Sequence, residues 1–256
     1  MRDAALSEPG GAQAVVRALS LLSLVGRGGA QGLGLAELSA SAHLARPTVR
    51  RLLLALVAAR LVEQDRQSRR YHLGPEAYLL GTFAEERHGI LHHAREGMLR
   101  LARETGDTVL LTVPQGDHTL CLERIEGDFP VRTHALMKGD RKPAGVGAGA
   151  MALLAALPHA EGDALLAQVA PLVGELLPAM AEDLARTRDT GHALNPGRVV
   201  AGSWGLGVAI LWPDGRPAAG LSIAAIENRM GFIRQAELVA ALQREAHLVA
   251  RRLAAL

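Results

Sequence analysis

The side chains with the clearest chemical potential in this sequence are arginines near the start of one predicted helix. The helix opens with Arg46-Pro47, and proline suits a first helical turn because its missing N–H would have no partner there. A guanidinium can donate two hydrogen bonds to O6 and N7 of guanine, for about 1–3 kcal/mol of discrimination between bases. We expect Arg46 to contact a phosphate and Pro47 to lie on the same DNA-facing surface. Three residues are expected to reach base edges: Thr48, Arg50 and Arg51.

A second group of basic side chains lies in a predicted hairpin directly after that helix. Residues 61–64 and 70–73 resemble short strands, and the polar sequence DRQSR joins them. A hairpin in this position is a wing, which can lie over phosphates beside a helix in the major groove. Four of its residues are predicted to face DNA: Arg66, Arg69, Arg70 and Tyr71.

The elements that must position these side chains precede them. Residues 12–26 have helical periodicity, with a predicted inward face of Val15, Ala18, Leu19, Leu22 and Val25. A short helix follows at 35–42, then a turn at 41–44, then the arginine-bearing helix. Between positions 11 and 75 nine arginines face three acidic residues, a local net charge of +6. The pattern indicates a winged helix–turn–helix, although a helical packing unit with a solvated arginine face would share much of it.

Composition limits what the rest of the chain can be. The 256 residues are 49% hydrophobic and 21% charged, which is typical of a globular protein with a substantial core. The total net charge of +2 leaves −4 outside the basic segment. Cys121 is the only cysteine, so no intrachain disulfide can form and a reducing cytoplasm is expected. No apolar stretch suggests a membrane span or a signal core, and residues 1–11 are predicted to be a flexible tail.

From residue 106 onward the sequence predicts strands, then helices, then strands, which is typical of an α+β domain with helices packed on an antiparallel sheet. Two helices, at 75–83 and 89–105, are predicted to precede it. The predicted strands are 108–113, 118–124, 131–135, 205–211 and 218–225, and the predicted helices are 148–157, 160–169, 176–190 and 233–253.

Three candidate sites in this second part were weighed on their residues. The glycine-rich segment 139–150 is neither a P-loop nor a dinucleotide fingerprint, but it leads into a helix start that could hold a small carboxylate. His88, His92 and Glu96 have the spacing of one helix face, and a solvated face is favoured over a metal site. Ser203 lacks the flanking glycines of a nucleophile elbow. We therefore predict no metal, no cofactor and no catalytic residue.

An ordered set of motifs resembles the IclR family of transcriptional regulators over residues 14–254. The N-terminal motifs are RALSLL at 17–22, the run that begins LAELSASAHL at 35, and YHLG at 71–74. The later ones are ETG at 104–106, GVGAGAMALLAALP at 145–158, GHALNPG at 191–197 and DGRP at 214–217. Three positions depart from the family pattern: His43, where glycine is common, and Gly145 and Met151, where histidine and lysine are frequent.

The resemblance implies four segments: a tail at 1–11, a winged helix–turn–helix at 12–75, a linker helix at 76–88 and a GAF/PAS-like effector domain at 89–256. It also implies a pocket between the glycine-rich loop and the facing strands. The residues it assigns to effector contact are Gly147, Ala148, Gly149, Asn195, Ser203, Gly205 and Ser222. From neighbouring strand positions, Leu136 is expected to contact the effector as well and to form an apolar floor with Leu120 and Trp204.

The predicted function is that of a cytoplasmic, sequence-specific DNA-binding regulator, more often a repressor in this family. Its predicted partners are double-stranded operator DNA, a small-molecule effector such as an organic acid or another catabolic metabolite, and a second copy of the chain in a homodimer that can assemble to a tetramer. No membrane partner is expected. Two alternatives remain open from the residues alone: a metabolite sensor whose first module contacts only protein, and a hydrolase that uses Ser203.

Overall fold

The computed structural model describes residues 12–255, with only the backbone described between 85 and 88, so the predicted tail lies outside the described residues. The chain divides into two compact units, residues 1–89 and 90–256. The N-terminal unit contains α1 (Ala12–Arg27), α2 (Leu35–Ala42), α3 (Arg46–Ala58), β1 (Val62–Gln64), β2 (Tyr71–Leu73) and α4 (Pro75–His88).

The core of the N-terminal unit is apolar and forms where the three first helices meet the hairpin. Leu21, Val25, Leu38, Leu53 and Val62 belong to it and are almost fully buried. The predicted inward face of α1 was partly wrong. Val15 and Leu19 are 58% and 53% exposed, because the helix buries the face centred on Leu21 and Val25 instead.

The turn between α2 and α3 adopts the left-handed conformation that its position in the motif requires. His43 has φ 51° and ψ 37°, and its amide donates to the carbonyl oxygen of Ala40. Histidine is among the non-glycine residues that tolerate this region, so the departure noted at His43 is accommodated with the turn geometry intact.

The C-terminal unit is an α+β domain built on one antiparallel sheet. Its strands are β3 (Thr108–Gln115), β4 (His118–Ile125), β5 (Arg141–Pro143), β6 (Ala193–Val200), β7 (Ser203–Leu211) and β8 (Pro217–Ile226), in the order β5-β4-β3-β8-β7-β6. Its helices are α5 (Ile90–Thr105), α6 (Ala148–Ala155), α7 (His159–Val173), α8 (Leu177–Thr190) and α9 (Phe232–Leu253).

Helices cover both faces of the sheet. Val208 and Ile210 belong to a core with α5 and α9, whereas Ala209 between them packs against the core of α6, α7 and α8. Successive residues of a strand point to opposite faces, so the two cores lie on opposite sides of the sheet. The α6 side contains the glycine-rich loop and its surroundings.

One predicted strand does not form, and two strands were not predicted. Residues 131–135 form no strand, although Val131 and Thr133 favour one, and residue Val131 is 54% exposed. The edge strands β5 and β6 were not predicted, because Pro143, Pro196 and Gly197 are typical of turns. Both strands lie at sheet edges, where such residues are tolerated.

One helical stretch, residues 159–190, is long and apolar enough by composition to cross a membrane, with a mean hydropathy of 1.5. Within the described chain it is not one helix but α7 and α8, joined by a 3-10 turn at 174–176 where Gly174 has φ 53°. Val169, Val173, Met180 and Leu184 of these helices are buried against α6. Their apolar character is accounted for in part by this packing.

Candidate nucleic-acid interface and ligand pocket

The position of the α3 arginines follows from which residues of this helix are buried. Val49, Leu52, Leu53 and Leu56 face the core. The residues of its first two turns that lie outside this buried face are accessible: Arg46, Pro47, Arg50 and Arg51 are exposed, and Thr48 is half-buried. None of these arginines forms a salt bridge with any residue that the structure describes, so their donors are available to a nucleic acid.

The wing bears two further exposed arginines without salt-bridge partners among the described residues. The carboxylate of Asp65 accepts hydrogen bonds from the amides of Gln67 and Ser68, at 3.1 and 2.6 Å, and closes the turn. These bonds, above all the Ser68 amide, lower the pKa of Asp65. Arg66 and Arg69 are exposed on the wing, and Arg69 has φ 59°. Neither has a salt-bridge partner in the described part of the chain.

Arg70 and Tyr71 require a correction. The Arg70 guanidinium donates to the carboxylate of Glu37 at 2.9 Å and to the carbonyl oxygens of Gln31 and Gly32 at 2.9 and 3.1 Å. Tyr71 is 5% exposed and belongs to the core. Both residues therefore hold the hairpin against the helices, and their placement does not support the predicted contact with DNA.

Glu37 links this junction to the start of α2. Its carboxylate accepts a hydrogen bond from the Gly34 amide at 2.6 Å as well as from Arg70. The Gly34 amide first, and the Arg70 guanidinium after it, lower the pKa of Glu37. The carboxylate thus caps the helix that precedes the turn and fixes the wing to it.

In the C-terminal unit, the structure brings together all eight residues predicted to contact an effector. They line one small cavity of about 30 Å³ between the start of α6 and strands β3, β6, β7 and β8: Leu136, Gly147, Ala148, Gly149, Asn195, Ser203, Gly205 and Ser222. Trp204 also lines it, as expected, whereas Leu120 does not. Leu110, Thr112, Val199 and Ala224 line it as well and were not predicted, because nothing in the sequence singles them out.

The cavity is uncharged and mostly apolar, and its polar side chains are those of Thr112, Asn195, Ser203 and Ser222. None of its lining residues has an ionisable carboxylate, amine or guanidinium. Ser203 and Ser222 are 7% and 5% exposed, and both line the cavity. The first backbone amides of α6 have no carbonyl acceptors within the helix, and their N–H groups point out of its N-terminal end. These groups are donors that a small anion or polar molecule could use.

Glycines allow α6 to lie directly on the sheet beside this cavity. A Cβ on Gly220 would lie 2.2 Å from the Gly149 carbonyl oxygen, and one on Gly207 would lie 2.6 Å from the backbone of Ala148. The helix therefore contacts β7 and β8 through backbone atoms, and its first turn is fixed against the strands that bear Ser222 and Gly205.

A buried ion pair supports the side of the cavity formed by β6. Asp183, 5% exposed on α8, accepts from Arg198 at 2.6 and 3.1 Å and from Arg186 at 2.9 Å. Hydrogen bonding to Asp183 raises the pKa of Arg198. The Arg198 amide also donates to Asn195 Oδ1 at 3.0 Å, which fixes the side chain that lines the cavity. Sequence reasoning missed this pair because α8 and β6 contact only in the fold.

Two other candidate groups have no reactive geometry. Burial raises the pKa of the Cys121 thiol to about 12, so no thiolate forms near neutral pH. No group of three potential metal ligands occurs among residues 12–255 with described side chains, and the side chain of His88 lies outside them.

The chain combines a winged helix–turn–helix with an α+β domain, and comparison with known proteins defines its family. Residues 82–251 match the model of the bacterial transcriptional regulator IclR C-terminal domain, and residues 14–66 match the IclR helix-turn-helix domain. The chain belongs to the IclR family and is a DNA-binding transcriptional regulator.

Named relatives and solved structures agree with this family. The chain is 30% identical to the HTH-type transcriptional regulator BhcR of Paracoccus denitrificans, covering 89% of this chain and 82% of that protein. It is 28% identical to the transcriptional repressor AllR of Escherichia coli K12, covering 90% and 87%. The fold of an IclR homologue from Microbacterium hydrocarbonoxydans matches with a TM-score of 0.75 at 22% identity, covering 95% and 98%.

Proposed function

We propose that the protein is a cytoplasmic repressor whose DNA affinity is controlled by a small effector bound beside α6. The observation that supports DNA contact most directly is the set of exposed arginines without salt-bridge partners on α3 and the wing: Arg46, Arg50, Arg51, Arg66 and Arg69. We assign Arg50 and Arg51 to base edges and the others to phosphates. Repression is supported by the similarity to AllR, which is named a repressor.

For the effector we propose a compact organic acid or a similarly small polar metabolite. The uncharged cavity offers hydroxyls of Ser203 and Ser222 and the amides at the start of α6 as donors to a carboxylate. The homologue from Microbacterium hydrocarbonoxydans is complexed with 4-hydroxybenzoate, which makes a carboxylate a reasonable first probe. The cavity is smaller than an aromatic acid needs, so we favour a shorter acid.

For the assembly we propose a homodimer that binds two half-sites about one helical turn, ~34 Å, apart. Two helices of the N-terminal unit leave apolar side chains exposed that a second copy could cover. On α4 Tyr78 is 76% and Phe83 67% exposed, and on α1 Val15 and Val16 are exposed. Exposed apolar groups of this kind are typical of association surfaces. Assembly to a tetramer would use the C-terminal unit.

We propose no catalytic activity. Ser203, the nucleophile that a hydrolase would need, has no histidine or carboxylate within hydrogen-bonding distance among the described residues, so no base is placed to activate it.

Footprinting upstream of the gene of this protein and its neighbours tests the regulator. Protection of a two-fold symmetric site that weakens with salt is expected, and Arg50→Ala should reduce the preference for that site over random DNA. Arg216→Ala, in the C-terminal unit, is the matched control and should leave protection unchanged. Absence of any sequence preference by the folded dimer would contradict the proposal.

Thermal-shift titration with short carboxylates tests the effector site separately. A bound acid at 100 times its dissociation constant should stabilise the protein by about 2.7 kcal/mol, and Ser222→Ala should reduce the shift. Equal shifts in the wild type and in Ser222→Ala would place the acid elsewhere.

Sedimentation of Phe83→Glu tests the dimer, since a charge in the proposed contact should favour the monomer.

A further inference from the structure

A second cavity, larger than the effector cavity, lies in the C-terminal unit. It has a volume of about 430 Å³ and lies where the β3–β4 hairpin, α6, the start of α7 and the β7–β8 turn meet. This volume is in the range of sites for small molecules, which are about 300–1,000 Å³. The two cavities share a single lining residue, Ala150 of α6. The larger cavity therefore requires its own explanation.

Its interior is apolar. Leu153 and Leu154 from α6, Leu157, and Leu165 from α7 line it, together with the ring of Trp212. Two backbone hydrogen bonds, each 2.9 Å long, hold Trp212 at the β7–β8 turn: its amide donates to the Arg216 carbonyl oxygen, and its carbonyl oxygen accepts from the Gly215 amide. An apolar or aromatic body of modest size would bury surface against these side chains.

The polar groups at its mouth include a negative charge that no cation pairs with. Arg216 is paired with Asp214 at 2.7 Å, and the His118 imidazole lies 2.6 Å from the Asp117 carboxylate, a contact that is an ion pair only when His118 is protonated. The exposed carboxylate of Glu161, in the first turn of α7, lines the cavity. It has no salt-bridge or hydrogen-bond partner among the residues that the structure describes.

From this combination we propose that the cavity is a second small-molecule site, specific for an amphipathic amine whose ammonium group pairs with Glu161 and whose apolar body packs on Trp212. The site differs from the effector cavity in chemistry as well as place, because that cavity is uncharged and rich in hydrogen-bond donors. The inference does not depend on DNA binding by the N-terminal unit.

The two tryptophans of the chain make the test specific. The sequence contains only Trp204 and Trp212, and each lines a different cavity. The variant Trp204→Phe leaves an emission signal from the larger cavity, and Trp212→Phe leaves one from the effector cavity. Both variants of the full chain would be titrated with three probes of similar shape: 2-phenylethylamine, 2-phenylethanol and phenylacetate.

We expect a saturable change in Trp212 emission that is strongest with the amine, weaker with the alcohol and weakest with the acid, and no response of Trp204 to the amine. Glu161→Gln should weaken amine binding by about twofold to fivefold, as expected for an exposed charge pair, and leave the alcohol unchanged. The unchanged alcohol would also show that the variant retains the cavity.

Three results would overturn the proposal. Equal affinity for the amine and the alcohol would remove the role of Glu161. An amine response of Trp204 in place of Trp212 would locate binding in the effector cavity. A change of Trp212 emission with protein concentration in the absence of any probe would show that a second copy of the chain covers the mouth.

Discussion

The arginines of the two units differ in what their charges contact. Before residue 90, Arg70 is the only arginine with a salt bridge among the described residues, and those on α3 and the wing tip extend into solvent. After residue 90 most arginines are paired, and Arg229 and Arg234 share the buried carboxylate of Asp107. One unit keeps its cations available, whereas the other uses them to connect its elements.

The difference separates two roles that the same residue type can have. An exposed, unpaired guanidinium contributes little to folding but can neutralise a phosphate or contact a base. A guanidinium bound to a buried carboxylate has its charge neutralised and part of its five donors occupied, and loss of the carboxylate is costly because it leaves the cation without its partner. Substitutions should therefore affect DNA binding in the first unit and stability in the second.

The largest effect is expected for Asp107→Ala. This carboxylate is 4% exposed and accepts from Arg229 at 2.8 Å, so its loss leaves two guanidinium groups without their partner. We expect the free energy of unfolding to fall by about 3 kcal/mol in chemical denaturation. Glu104→Ala, which breaks the half-exposed pair with Arg244, is the control and should cost about 0–1 kcal/mol. Similar losses in both would remove the distinction between a buried ion pair and an exposed one.

Arg50→Ala should show the opposite pattern. The discrimination between the operator and a single-base variant should fall by about 1–3 kcal/mol in competition binding, because a base contact is lost. The free energy of unfolding should change by less than about 0.5 kcal/mol, since Arg50 is exposed and unpaired. A large loss of stability would mean that this arginine is structural and would break the comparison.

Arg70→Ala tests the exception in the N-terminal unit. Removal of its bonds to Glu37 and to the backbone of Gln31 and Gly32 should lower stability by about 1 kcal/mol in thermal or chemical unfolding. Because the wing would be less well held, affinity for all DNA sequences should fall while base preference is kept. Loss of base preference alone would assign Arg70 to direct recognition instead.

The smallest effect concerns pH. The lowered pKa of Glu37 means that its carboxylate stabilises the folded state above the ordinary value of 4.5, and that this contribution is lost as pH falls through the folded-state pKa. The stability difference between wild type and Glu37→Gln should thus shrink in acid. A difference that stays constant from neutral pH down to acid would show that the charge is not involved.

The sequence predicted the elements that local signals such as proline and apolar spacing define. It did not predict features that depend on tertiary contacts. Proline at position 47 and the helical spacing of the apolar residues predicted α3 and its exposed arginines. The resemblance placed Asn195, Ser203 and Ser222 around one cavity. The buried face of α1 was misjudged, because Val15 and Leu21 lie on overlapping apolar stripes and only the packing of α3 selects one.

Arg70 and Tyr71 show the same limit within a functional motif. Their composition is that of a basic, aromatic DNA-facing surface, and only the contact of Glu37 with Arg70 across the unit shows that the guanidinium is occupied. The second cavity was not predicted at all. Its lining residues come from segments as distant as Pro114 and Pro217, which no spacing in the sequence relates.

The most direct test of the central claim is the salt dependence of binding to one operator fragment. If the unpaired arginines contact phosphates, the logarithm of the binding constant falls linearly with the logarithm of salt concentration, and Arg69→Asn reduces the slope by about one. Asparagine is chosen because it tolerates the left-handed backbone at this position. Arg216→Ala should leave the slope unchanged. Equal slopes for wild type and Arg69→Asn would contradict the assignment of the wing to the DNA backbone.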